Sequence, residues 1–371
     1  DLNSMKTEGR VHITSKNLKT VDPKLKQVLQ IDNIEPVTAT IDMEAKLQET
    51  SAVISSAIQT NLGSIKTVDT LYNLRTGVFE SGYNFFIPDL KKLHFITQKD
   101  LKGELGVEGR FKMKDRKISL SAETGCFGGN TVIAYSKNKL TAEIENGSAA
   151  ATGAIFGMRD MFGAGMFNMD AALIVYGENS EEILENLSGV FHLEGKDIVL
   201  NMIDIDGVIN DLSRAKEVNL FDIGAIALAG PLGLAITKAQ DIGSAAYRSQ
   251  TRGKSLINQI NARWQISRAI AQAEDVALST PKHRIASKGR INLKTGRFMN
   301  FSIALVDEKG CSVFTQQVEG RLTKPRVSAS KTVTETARNI FGSIFSKTPV
   351  KKDNRTETRC DLFYEGVVAH P

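Results

Sequence analysis

The feature of this sequence that most constrains its fold is a two-residue alternation of apolar and polar side chains over residues 260–327. Within it, apolar residues recur at every second position in short runs such as Val276 and Leu278. Segments at residues 294–296 and 307–310, each ending in glycine, separate the runs. Alternating runs divided by glycine turns are typical of an antiparallel meander with one apolar face.

Two earlier segments show the same alternation more regularly. Residues 37–47 have an apolar side chain at every odd position and a polar one at every even position. A strand of this length is about 35 Å long, which is long for a globular protein. Residues 105–113 repeat the pattern with charged residues on the opposite face, and residues 118–122 return as the partner strand of a hairpin.

These segments predict a mainly β fold, an elongated and twisted antiparallel sheet with a few short helices. Such a sheet must cover its apolar face. From the residues alone two solutions are open: the apolar side chains pack against one another as an ordinary core, or the sheet curls around an apolar groove that holds acyl chains. The residues that we expect to line such a groove are Ile41, Met43, Leu47, Leu105, Val107, Phe111 and Met113.

Some segments fit helices better than strands. Asn179, followed three residues later by Glu182, resembles a capping box and predicts a helix over residues 179–187. Residues 51–62 are ambiguous but fit a short helix, and residues 254–260 are predicted to form another.

Two further segments allow two interpretations each. Residues 151–169 are rich in Gly, Met and Phe, which suits either an adaptable apolar surface or a short helix packed on the sheet, and we favour the helix. Thr332 and Glu335 fit a second capping box, and the apolar stripe that follows predicts an amphipathic C-terminal helix over residues 332–346. This helix would cover the open end of the sheet or lie on a membrane.

Composition and charge exclude some classes of protein. Hydrophobic residues make up 41% of the 371 residues, which argues against global disorder. The formal net charge of +5 is small for this length and the charges are mixed along the chain, so we expect no nucleic-acid partner. A mild attraction to anionic membrane surfaces and plain solubility both fit this charge.

No pattern in the sequence indicates a catalytic or metal site. The five histidines are scattered without the spacing of metal ligands. The chain contains no G-x-S-x-G elbow, and residues 252–255 lack the first glycine of a phosphate loop. We therefore expect no cofactor, no metal and no enzymatic activity; a hydrolase whose site is assembled from distant residues is the weakest alternative.

The chain has three cysteines, Cys126, Cys311 and Cys360, and no C-x-x-C pair among them. Spacing alone leaves Cys311 and Cys360 as either a disulfide or two separate buried thiols.

From residue 173 onward the chain resembles the C-terminal region of AsmA-like proteins of Gram-negative bacterial envelopes. The resemblance rests on the phrases YGENSEEILENLSGVFHLEGKDI, VNLFDIGAIALAGPLG, DVALSTPKHRIASKGRINLKTGRF, FSIALVDEKGCSVFTQQVEGRLTKP and CDLFYEGVVAHP. Before residue 173 only the alternation of the strands agrees. None of these phrases is catalytic, so the resemblance carries over no catalytic residue.

The resemblance implies a periplasmic protein anchored to the inner membrane by a helix that precedes the present sequence. Relatives of this kind form curved sheets with an apolar trough and are related to bridge-like lipid-transfer proteins, which favours the groove over the core. The periplasm is oxidising, which favours a bridge between Cys311 and Cys360 and leaves Cys126 unpaired.

With this resemblance we expect a non-enzymatic protein that binds or conducts phospholipid between the inner and outer membranes and supports outer-membrane assembly. Its expected partners are phospholipid, membrane and other envelope proteins. The alternative is a structural scaffold that docks outer-membrane proteins through sheet edges or the terminal helix. We expect residues 1–172 to form a β-rich region of the groove, residues 173–350 the AsmA-like C-terminal region, and residues 351–371 a charged linker and a terminal extended segment.

Overall fold

The computed structural model of the protein describes residues 6–18, 37–97, 99–201, 204–211, 220, 253–322, 324–329 and 360–371. These residues are mainly β, as the alternation predicts. Seventeen strands form one antiparallel sheet that is not closed, and the helices among these residues are few and short. None of the described helices has the length and apolar character needed to span a membrane.

Strands β1 to β9 span Lys6–Leu18, Val37–Gln48, Ser51–Thr60, Ser64–Asn73, Val78–Ile87, Leu105–Lys114, Lys117–Thr124, Asn130–Ser136 and Lys139–Ser148. Strands β10 to β17 span Phe162–Ile174, Ser188–Asn201, Lys254–Ser267, Ile270–Ser279, Arg284–Asn292, Arg297–Val306, Ser312–Arg321 and Lys324–Ala329. Helices α1 to α4 span His94–Thr97, Ala149–Ile155, Ser180–Asn186 and Ile205–Asp211, and a 3-10 turn at Leu90–Leu93 precedes α1.

Strands pair antiparallel with their neighbours in sequence from β1 to β9 and again from β11 to β17. Several connections are two-residue turns. Asp115 and Arg116, between β6 and β7, have φ of 49° and 62°, and Lys137 and Asn138, between β8 and β9, have φ of 50° and 64°. Two successive positive φ angles match the right-handed twist of the flanking strands, and so short a turn fixes the register of its hairpin.

The chain divides into two compact units. The first consists of Asp1–Arg159 with Asp170–Leu187, and the second of Asp160–Met169 with Ser188–Pro371. The division falls inside β10, between Met169 and Asp170.

The second unit has a dense core built on β12 to β16. Ala277 lies opposite Ala286, and Ala286 lies opposite Ala304, so small side chains form a strip across three strands. Residues 360–371 lie on this strip and fill the space that the alanines leave. The buried cluster comprises Ala277, Ala286, Ala304, Val306, Phe363, Tyr364 and Val368.

Two segments predicted as short helices are strands instead. Residues 51–60 form β3, which pairs with β2 on one side and β4 on the other. Residues 254–267 form β12, which pairs with β11 and β13 along most of its length. Both predictions were wrong because the local spacing of apolar residues is a weaker determinant than pairing on both edges.

The segment at residues 151–169 is helical only in part. It contains the end of α2, and then becomes β10, where Phe162 and Phe167 are buried. The capping box at Asn179 is confirmed: its side-chain oxygen accepts a hydrogen bond from the Glu182 N–H at 3.0 Å, and α3 follows. The predicted C-terminal helix at residues 332–346 lies outside the described residues, as does most of the predicted linker.

Candidate apolar binding face

The sheet of the first unit has two faces of different chemistry. Side chains alternate between the faces along each strand, and the register aligns those on one side into rows. Ile41 lies opposite Ile58 across β2 and β3, and Phe85 lies opposite Val107 across β5 and β6. Following such pairs from β1 to β9 defines one side of the sheet, which we call the apolar face.

All seven residues that the sequence predicts for a groove lie on the apolar face. Three of them belong to β2 and four to β6, and strands β3 to β5 separate the two groups. Several residues that sequence reasoning missed complete the face. They are Val11, Ile13, Ile54, Ile58, Ile65, Tyr72, Phe79, Tyr83, Phe85, Ile118, Leu120, Ile133, Tyr135 and Leu140.

A bulge in β4 explains part of what the sequence missed. The register between β4 and β5 shifts between Val68 and Leu71, and Asp69 has φ of 51°. One extra residue at this point means that Ile65 and Tyr72 face the same side although they are seven positions apart. An alternation of period two, read from the sequence, therefore assigns the residues beyond the bulge to the wrong face.

No Lys, Arg, His, Asp or Glu occupies a described position that alternates onto the apolar face; Asp69 belongs to the bulge itself. Hydroxyl groups also lie on this face, and some of them pair internally, whereas the buried Thr131 hydroxyl has no hydrogen-bond partner among the described residues. Thr70 and Ser81 hydrogen-bond each other at 2.7 Å, and the Tyr83 hydroxyl donates to the carbonyl oxygen of Ser121 at 2.8 Å. The face therefore offers a ligand mainly apolar contact, and its polar side chains are uncharged.

The opposite side of the same sheet, which we call the charged face, carries the ions. Glu44 lies 3.2 Å from Lys46 and 3.8 Å from Arg10, atom to atom between side chains. Lys112 forms an ion pair with Glu80, its direct partner across β5 and β6. Water solvates these groups, so the charged face needs no cover.

From β5 to β9 the apolar face is buried at one end of the strands and more exposed at the other. At the helical end, where the 3-10 turn and α2 lie, Ile87 and Ile144 are each 2% exposed. Near the other end Met113 is 39% and Ile118 is 44% exposed. We call that end the hairpin end, and its turns are at residues 49–50, 74–77, 115–116 and 137–138.

The ring of Tyr83 packs over Gly109 on the apolar face. The two residues lie opposite each other across β5 and β6. A Cβ at Gly109 would come within 2.5 Å of the Tyr83 hydroxyl oxygen and 2.1 Å of the Ser121 carbonyl oxygen. The phenol ring therefore lies over a residue without a side chain, and burial of the ring raises the pKa of Tyr83.

Cys311 and Cys360, the pair singled out in the sequence, form a disulfide with their Cα atoms 5.4 Å apart. The bond fixes the start of the terminal segment beside the turn between β15 and β16. There the carbonyl oxygen of Gly310 accepts hydrogen bonds from the Phe363 and Tyr364 N–H groups at 2.8 and 3.0 Å. Cys126 has a free, half-buried thiol, and burial raises its pKa.

A polar cluster holds the rest of the terminal segment. The Tyr364 hydroxyl donates to Asp275 at 2.7 Å, and the other carboxylate oxygen of Asp275 accepts from the Val367 N–H at 3.0 Å. Arg284 donates to the carbonyl oxygen of Val368 at 3.1 Å. Burial first, and then the hydrogen bond with Asp275, raise the pKa of Tyr364 far above its ordinary value. Each of these groups serves to dock the segment.

Other features of the described residues give little basis for chemistry. They contain no group of three or more His, Cys, Asp and Glu side chains that could hold a metal ion. A shallow cavity of about 530 Å³ at the helical end includes Asn84, Glu108 and Glu123 among its lining residues. Glu108 and Glu123 lie directly opposite each other, so this cavity repels an anionic ligand.

No protein-family model, no curated protein and no solved structure matches this chain. The resemblance to AsmA-like proteins therefore stays a prediction from the sequence, and a function has to be argued from the apolar face itself.

Proposed function

We propose that the protein binds phospholipid on its apolar face, with acyl chains against the sheet and headgroups in water. It does so without catalysis, conducts phospholipid between the inner and outer membranes, and supports outer-membrane assembly. One observation carries the proposal: nine neighbouring strands share a face whose described positions carry no charged side chain, and large apolar residues on it such as Ile13, Met43 and Leu120 are 37–49% exposed.

The size of the apolar face favours acyl chains over a compact ligand. Ten-residue strands are about 33 Å long, and nine strands at their usual spacing extend about 38 Å. An ordinary monomer exposes apolar patches of only a few hundred Å². Each methylene group moved from water onto such a face gains about 0.8 kcal/mol, with no need for a fixed polar contact. A chain held in this way is free to slide, which suits conduction.

The choice of compartment rests on the disulfide and on the sequence resemblance. A disulfide between Cys311 and Cys360 persists in an oxidising compartment such as the periplasm. Anchoring to the inner membrane follows from the resemblance to AsmA-like proteins. Both belong to the proposal.

Val107→Asp is the variant that tests lipid binding. Val107, the third residue of β6, lies half-buried on the apolar face, where a carboxylate would have to be desolvated against acyl chains. The wild-type chain, purified gently from a bacterial envelope and extracted with organic solvent, is expected to release phospholipid in at least equimolar amount by mass spectrometry. The variant is expected to release little, while keeping its β circular dichroism.

Arg110→Asp is the matched control, because it places the same carboxylate on the same strand but on the charged face. We expect it to retain lipid at the wild-type level. A folded wild-type protein that releases no lipid would overturn the proposal. It would direct attention to the scaffold alternative, in which the apolar face binds an envelope protein.

A further inference from the structure

We propose that the hairpin end of the first unit docks on the surface of an anionic lipid bilayer. This inference extends the proposed function, because the apolar face is more exposed at the same end and would there meet a source of lipid. It does not depend on that function, since binding to a bilayer surface can be measured whether or not acyl chains occupy the sheet.

A row of cations lines the hairpin end. Three successive turns along the meander, those joining β4 to β5, β6 to β7 and β8 to β9, lie about 10 Å apart because two strand spacings separate them. The hairpin turns of this end contain two carboxylates, Glu49 and Asp115, and the segment that follows Tyr176 beside the third turn adds Glu178, Glu181, Glu182 and Glu185. The cations within or beside these turns are Arg75, Lys114, Arg116, Lys117, Lys137 and Lys139.

These six cations are available to a partner. Each of the six residues is exposed, and none of them forms an ion pair with another described residue. Their charge is therefore not neutralised within the described part of the protein.

Exposed apolar side chains stand among the cations. Leu74, within the first of the three turns, is 47% exposed, and Met113 and Ile118 on either side of the second are 39% and 44% exposed. Ile174 and Tyr176 are 42% and 48% exposed and belong to the same end. The N–H of Val175, between them, donates a hydrogen bond to the carbonyl oxygen of Asn138 in the third turn at 2.7 Å. A surface of this kind matches the bilayer interface, where cations meet headgroups and apolar tips enter the acyl boundary.

The opposite end of the same strands lacks this character. The turns at residues 61–63 and 125–129 carry no charged side chain. The longer connection between β5 and β6 mixes both signs, and its His94 lies 3.1 Å from Asp100. Among the short turns that join neighbouring strands of β2 to β9, the cations are thus confined to the hairpin end.

Arg116 occupies a position that glycine would suit better. Its φ of 62° lies in the left-handed region, where a side chain is unfavourable and glycine is not. An arginine at this unfavourable position, among the other cations of the turns, is consistent with a function for its charge.

Nucleic acid is the other polyanion that cations attract. Its backbone offers charge, but it has no apolar interior in which Leu74, Met113 and Ile118 would gain from contact. The aliphatic tips therefore favour a bilayer, and nucleic-acid binding becomes an outcome of the test.

The test is binding of the full chain to lipid vesicles, measured by co-sedimentation. We expect the wild-type protein to bind vesicles of mixed phosphatidylglycerol and phosphatidylcholine, to bind pure phosphatidylcholine far less, and to be released by salt. Each cation at an anionic surface contributes about fivefold to affinity, so the double variant Lys114→Gln, Lys117→Gln is expected to bind about 25-fold more weakly. The control Lys91→Gln, Lys102→Gln changes exposed lysines of the opposite end and is expected to bind as the wild type does.

Arg116→Gly keeps the test informative if the double variant folds poorly, because it removes a cation while relieving an unfavourable backbone angle. We expect it to bind about fivefold more weakly. Asn138→Gly makes the same backbone change at φ of 64° without loss of charge and is expected to leave binding unchanged. Equal losses in the two glycine variants would overturn the proposal. So would equal binding to neutral vesicles, or binding to single-stranded DNA as tight as that to anionic vesicles.

Discussion

Gly109 lies beneath the ring of Tyr83, and a single methyl group at this position would collide with two oxygen atoms. We expect Gly109→Ala to lower the free energy of unfolding by about 1–3 kcal/mol, because the ring and the β7 backbone would both have to move. Chemical denaturation followed by circular dichroism measures the change. Gly106→Ala is the control on the same strand, since a Cβ there meets nothing within 4 Å. A Gly109→Ala protein as stable as this control would show that the contact is not restrictive.

Sequence reasoning works at the scale of single residues when the partners are close along the chain. The hydrogen bonds between Asn179 and Glu182 join residues three positions apart, and the capping pattern predicts them. The contact between Tyr83 and Gly109 depends on the register of β5 with β6, which neither residue encodes locally. A glycine within an alternating strand does not show whether any group approaches it, since Gly106 on the same strand has none within 4 Å.

At the scale of an element, the terminal segment gives the protein a dependence on alkaline pH. The Tyr364 pKa is raised in the folded state by burial and by its hydrogen bond with Asp275. Below pH 10, the ordinary pKa, tyrosine is neutral in the folded and unfolded states alike. Above it only the unfolded state loses the proton, so the free energy of unfolding falls as the pH rises.

Denaturant titrations between about pH 8 and pH 11 measure this dependence. Tyr364→Phe is expected to be less stable at pH 8, because the Asp275 carboxylate loses a donor, and to show a weaker loss of stability above pH 10 than the wild type. Tyr83, whose pKa is also raised by burial, remains in both proteins and accounts for a shared part of the slope. Parallel pH profiles for the two proteins would contradict the assignment to Tyr364.

The errors of prediction at this scale come from tertiary pairing. Residues 51–60 and 254–260 carry apolar residues at spacings that suit a helix, yet each segment lies in a strand that pairs along both edges. The bulge beside Asp69 hides the alternation of β4 in the same way. In each case the contacts that decide the structure are made with another strand, and the local pattern of residues does not indicate them.

At the scale of the whole molecule, the mainly β sheet and the two-sided character of its strands could be predicted from the sequence. The residues on β2 and β6 were found because those strands alternate without bulges over their whole length. The sequence could not show that β2 and β6 place these residues on the same face, because that depends on the registers of all the strands between them. The absence of charge from that face becomes visible only once these registers are known.

Lipid on the apolar face would stabilise the first unit selectively. A ligand present at about 100 times its Kd slows exchange through unfolding of its site by about 100-fold. With dispersed phospholipid we therefore expect backbone amides of β6 and β7 to exchange about 100-fold more slowly. Amides of β14 and β15, which lie in the dense core of the second unit, are expected to keep their rates. Hydrogen exchange read by mass spectrometry compares the four strands in one sample. Equal protection of both units, or protection that persists in Val107→Asp, would mean that lipid acts elsewhere than on the apolar face.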